Sequence, residues 1–166
     1  MIDGRRVARC TGIVMTLVCG LAMRAAAQLL PLPAYLEYRG DGIFGRGTTA
    51  QAGLGAVFLL GTYVRTSVDA GAGATWQDGE SRASGRADVI TRFLLDPFRE
   101  SPIGFSLGGG VSVPYVDGQA HVRPFLTAVV DVEGRIRRNF TPALQVGLGG
   151  GTRIGIVFRT SPPRWR

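Results

Sequence analysis

The sequence predicts an all-β protein: an antiparallel, up-and-down barrel of eight strands behind a cleaved signal peptide. Three observations lead there. Apolar residues recur at every second position, the period of a strand, and no segment keeps a helical stripe. Gly, Pro, Asp and Asn turn signals separate these runs. The positions between the apolar ones are either bare or ionic, as in "IGFSLGGGVSVPYV" (103–116), where alternation continues through three glycines.

The N-terminal segment 1–27 reads as a signal peptide. Arg5, Arg6 and Arg9 give a basic start, and Thr11 to Met23 is an uncharged, mostly apolar run, too short to span a bilayer comfortably as a helix. Ala25-Ala26-Ala27 before Gln28 supplies the small residues of a cleavage site. Cys19 raises a lipoprotein alternative, but Val18 stands where a small residue is needed. Cleavage removes Cys10 and Cys19, so thiol chemistry is absent from the remainder. Residues 28–160 then form one barrel domain and 161–166 a short tail.

Eight alternating runs follow, at about 34–39, 49–58, 62–76, 83–95, 103–114, 120–132, 140–150 and 152–159. The first is short, and "GDGIFGRGT" (40–48) reads as the longest connection. The second and third carry Leu54 and Phe58, then Val64, Val68 and Trp76, on the apolar parity. Asp78-Gly79 and Asp117-Gly118 are hairpin signals ending the third and fifth runs. "LDPFRESP" (95–102) separates the fourth from the fifth, "VEGRIRRN" (132–139) the sixth from the seventh, and Gly150-Gly151 makes the last turn. Val57, Ile90, Leu94, Phe125 and Val129 break the sorting.

Such a sheet closes in one of two ways. A soluble barrel buries the apolar parity, as a lipocalin-like periplasmic carrier of an apolar ligand does. A transmembrane barrel buries the ionic parity and gives the apolar one to lipid. The composition favours the second. A narrow eight-stranded interior holding arginines needs small neighbours, and Gly or Ser stands between the charges. The ionic parity holds Arg39, Arg65, Arg86, Arg92, Arg123 and Arg153 against Glu37, Asp69, Asp88 and Asp131, a set able to pair within a lumen. Most runs are long enough, when tilted, to cross the roughly 25 Å apolar band. Aromatics gather near strand ends, as interfacial girdles do.

On these grounds residues 34–159 resemble the small eight-stranded outer-membrane β-barrels of Gram-negative-type bacteria, OmpX-like and OmpA-like in the broad sense. The final strand is similar to the one the assembly machinery reads in that class: Arg153, Gly155 and Phe158 match, whereas Thr160 misses the last position and "TSPPRWR" (160–166) continues beyond it. The resemblance implies a monomer in the outer membrane, with lipid and the barrel-assembly machinery as partners, and a structural or surface-interaction role.

No motif carries chemistry. His121 is the sole histidine, which excludes a multi-histidine metal site, and no spacing ties it to a serine. "GAGAT" (71–75) and "GLGGGT" (147–152) lack the lysine and the following helix of a phosphate loop. "RGD" (39–41) is too short to mark adhesion. All 19 basic residues are arginines, but they are scattered, unlike a nucleic-acid stripe. The expectation is a non-enzyme without cofactor, metal or catalytic residues. Its site is a luminal charge network of Glu37, Arg65, Asp69, Arg86, Asp88, Arg92, Arg123, Asp131 and Arg153.

Overall fold

The computed structural model describes residues 34–98, 100–118, 123–135 and 139–160. The expected signal peptide 1–27, the tail 161–166 and His121 lie outside them. Eight strands run in chain order: β1 (Ala34–Phe44), β2 (Thr48–Leu59), β3 (Val64–Gln77), β4 (Glu80–Leu94), β5 (Gly104–Val116), β6 (Phe125–Glu133), β7 (Phe140–Leu148) and β8 (Thr152–Thr160). Each pairs antiparallel with its neighbours, and β1 pairs with β8, so the sheet closes into a barrel. Closure leaves no strand edge with unpaired backbone groups. The pairs Glu37–Gly55, Gly55–Asp69, Asp69–Asp88, Asp88–Ser112 and Ser112–Phe125 lead stepwise round the wall.

The largest departure from the sequence pattern is β1, which has eleven residues rather than about six. Gly40, Asp41 and Gly42 look like a turn, yet they pair with Ala52, Gln51 and Ala50. Asp41 points inward to arginines, and the ring of Phe44 lies over Gly42 where a Cβ would sit. The connection shrinks to 45–47. At the other extreme β6 begins at Phe125 rather than near 120. Pro124 has no N–H for the ladder and stands just before it. The β3–β4 hairpin turns on two residues, with Asp78 at φ 52° and Gly79 at φ 81°, the left-handed geometry that an Asp-Gly pair favours.

Chain ends and turns sort by side. The strand ends at Ala34 and Thr160 share one side with the connections 60–63, 95–103 and 134–139; the opposite side carries 45–47, 78–79, 117–124 and 149–151. Three of the four connections on that opposite side are two or three residues long.

The apolar parity faces outward along the barrel. Leu107, Leu126 and Leu148 are 50%, 81% and 62% exposed. The soluble, carrier-like alternative required these leucines in a dry centre, and the inward ionic parity overturns it. Rings mark both ends of the outer face. Tyr63 stacks on Phe93 at 5.8 Å and meets Phe98 edge-on at 6.2 Å, and Phe140 meets Phe158 at 6.0 Å, all on the chain-end side. Phe44, Trp76 and Tyr115 stand exposed on the other. From Phe105 to Tyr115 on tilted β5 the rise is about 25 Å, the height of a bilayer's apolar band.

Candidate functional site: the charged lumen

A strand of period two puts every second side chain on the axis, so each wall position of this parity must share a narrow interior. Eight of the nine residues named from the sequence are there. Glu37, Arg65, Asp69, Asp88, Arg92, Asp131 and Arg153 are buried, and the side chain of Arg86 is 7% accessible. Arg123 is the correction: it is exposed and lies outside β6. Its parity is right, but Pro124 breaks the ladder before the chain reaches it. Arg39 also faces inward, as its parity predicts, and three further charges do so unforeseen: Asp41, Glu133 and Arg159. Each sits where turn-like neighbours hide the strand: Asp41 between two glycines, Glu133 before Gly134, and Arg159 at the end of β8. Continuing the alternation Arg153, Gly155, Val157 by one step finds Arg159.

Among the described residues the lumen thus holds six arginines and six carboxylates, in two linked groups. Toward the chain ends, Arg159 binds Glu37 and Asp131 at 2.6 Å each and Glu133 at 3.0 Å. Arg92 lies 3.0 Å from Asp131, and Arg65 pairs with Glu133 and, at 3.4 Å, Asp131. Toward the turns, Arg153 bridges Asp41 at 2.8 Å and Asp88 at 2.7 Å. Arg39 reaches Asp41 at 2.9 Å and Asp69 at 3.1 Å. Gln145 joins the groups, accepting from Arg39 and donating to Asp131 at 2.7 Å. Ser67 makes a second link: it accepts from Arg92 at 2.6 Å and donates to Asp69 at 2.8 Å.

The matched count is what physics demands. A buried charge without a partner costs several kcal/mol, whereas charge-assisted pairs with their hydrogen bonds filled offset that cost. The glycines make it sterically feasible. A Cβ on Gly55 would run into Asp69 Oδ1, and one on Gly155 into Asp41 Oδ1. Gly108 and Gly110 serve differently: a Cβ on Gly108 would strike the backbone of Thr91 and Arg92, and one on Gly110 that of Val89 and Ile90, so both permit close approach of β5 to β4 rather than room for a charge. The central glycine, Gly109, has outward parity. Val57, Ile90 and Val129, which break the sorting, turn inward with Val157 and are almost wholly buried. They fill the volume between charged layers.

The arrangement ties β1, β3, β4, β6 and β8 together across the axis and blocks it with packed side chains. Most of its groups are paired with one another, in a geometry suited to locking the barrel.

Solved structures share this architecture. The N-terminal β-barrel domain of Pseudomonas aeruginosa OprF aligns with TM-score 0.55 at 12% identity, covering 76% of this chain and 96% of that one. Neisserial surface protein A aligns with TM-score 0.53 at 11% identity, covering 76% and 94%. At such identity the likeness concerns the fold: an eight-stranded closed barrel of the outer-membrane type. No protein-family model and no curated protein sequence matches the chain.

Proposed function

We propose that the protein is a small, monomeric outer-membrane barrel with a structural or surface-interaction role, not an enzyme and not an open solute pore. One observation carries the reading: a continuous apolar outer face encloses a charge-neutral ionic core. In water that outer face would expose leucines and rings on every strand, far beyond the patch size a soluble monomer tolerates. In lipid it is the low-energy surface. The lumen, crossed by six arginines and their carboxylates, leaves no continuous path for a solute. Lipid and the assembly machinery are the partners this reading requires.

Fractionation tests it. The protein should sediment with outer membranes, need detergent for extraction, and migrate differently on a gel before and after boiling. Recovery in the soluble periplasmic fraction would overturn the location. A steady conductance of nanosiemens in a planar bilayer would overturn the closed lumen.

A further inference from the structure

Arg86 is the luminal arginine that the network leaves over. Its nearest carboxylate oxygen, Asp88 Oδ1, is 3.9 Å from Nε, and Nε has no hydrogen-bond partner although the side chain is more than nine-tenths buried. Asp88 is already occupied: Ser112 donates to Oδ1 at 2.5 Å and Arg153 to Oδ2 at 2.7 Å. Arg86 therefore keeps one long ion pair and a buried Nε without a hydrogen bond.

Its surroundings are neutral donors. Ser84 lies two residues along β4 on the same inner face and is buried. Gln51 Nε2 donates to Ser84 Oγ at 3.2 Å, which leaves the Ser84 hydroxyl proton free to point elsewhere. Thr49 and Thr75 share one hydrogen bond at 2.8 Å, so one of their two protons is also free. Gly71 is paired with Arg86 and Gly73 with Ser84, which removes side-chain bulk from the facing wall. Gly73 is exposed and Gln51 is only partly buried, so this end of the lumen meets solvent above the buried Arg86 side chain. On the axis below stand Asp88, the ionic groups and buried Ile90, Val129 and Val157. Among the described residues, the one carboxylate on the inner parity of β2 to β5 between Asp88 and the turns is Glu80, which is exposed at the strand end and paired with Arg82 at 2.6 Å.

We infer that the turn-side end of the lumen is a blind binding pocket for a small inorganic oxyanion, held by the Arg86 guanidinium with the Ser84 hydroxyl and the Thr49–Thr75 pair. A guanidinium offers a planar fork of donors matched to phosphate-like oxygens. The packed layers beneath make it a place of binding rather than passage. The inference rests on the barrel's inner geometry and stands whether or not the outer-membrane location does.

The test is titration of inorganic phosphate into the full-length protein in maltoside micelles, followed by phosphorus line width and by the amide shifts of Ser84 and Arg86. Saturable shifts confined to β2–β4 near the turns are expected. Arg86→Gln should weaken binding at least about tenfold, the loss of a charge-assisted bond. Ser84→Ala should weaken it about threefold to tenfold, and Arg86→Lys, which keeps the charge but not the fork, should retain only part of it, more than Arg86→Gln. Arg46→Gln, in an exposed turn on the same side, should leave it unchanged. Should Arg86→Gln fail to shift on heating in a gel, and so be unfolded, Ser84→Ala and Arg86→Lys decide the matter. Non-saturating shifts, or an equal loss in Arg46→Gln, would mean that the arginines attract an adventitious ion only and would overturn the pocket.

Discussion

The two ends of the lumen solve the problem of a narrow interior differently. Toward the chain ends Arg65, Arg92 and Arg159 interlock with Glu37, Asp131 and Glu133, and Arg159 alone touches three carboxylates within 3.0 Å. Toward the turns, Arg153 and Asp41 pair on the β1–β8 side, while on β2 to β4 the wall is Thr49, Gln51, Gly71, Gly73, Thr75 and Ser84, with Arg86 as the cation left without a close carboxylate. Buried charge is tolerated in proportion to its partners. The first region is therefore a lock, dense with shared ion pairs. The second trades that density for open, neutral polar groups. Stability and binding capacity reside at opposite ends of one axis.

The comparison can be broken at its strong end first. Arg159→Leu removes the shared partner of three carboxylates and should destabilise the folded barrel by about 3–5 kcal/mol, read as a lower urea midpoint in lipid vesicles by gel shift. A change under about 1 kcal/mol would show that the pairs do not act as a lock. Gly155→Val, which thrusts a side chain into Asp41, should cost about 1–3 kcal/mol in the same assay. At the weak end Arg86→Gln should change stability by less than about 1 kcal/mol, since little pairing is lost. Smallest of all, Arg123→Leu should lie within about 0.5 kcal/mol of the parent, as exposed positions outside the strands do. A large effect at Arg123 would return it to the lumen.

How much of this could be read from the sequence follows the physics of alternation. Where a strand keeps strict parity with large apolar partners, as Phe105 to Val113 does, direction is unambiguous, and Asp69, Asp88 and Asp131 follow from it. At strand ends the signal fails. Gly40 and Gly42 have the composition of a turn, and only the inward partners of Asp41, supplied from β8 and β1 itself, make it a strand residue. Glu133 and Arg159 fail for the same reason, being satisfied by each other across the barrel rather than by neighbours in the chain. Arg123 errs in the opposite sense, since parity extended through Pro124 outruns the ladder. The glycine pattern signals room for charges, which holds at Gly55 beside Asp69 and Gly155 beside Asp41. At Gly108 and Gly110 the requirement is backbone proximity between β4 and β5, invisible without the register.

The brevity of the turns at 45–47, 78–79 and 149–151 sets what an outside agent can grasp. Connections of two or three residues, held by glycines in the left-handed region at Gly79 and Gly150, offer no extended slack chain to thread through a protease cleft. Protease treatment of the protein in micelles should spare those hairpins. A binder approaching this side would meet those tight hairpins and the longer connection 117–124, with Phe44, Trp76 and Tyr115 around the margin.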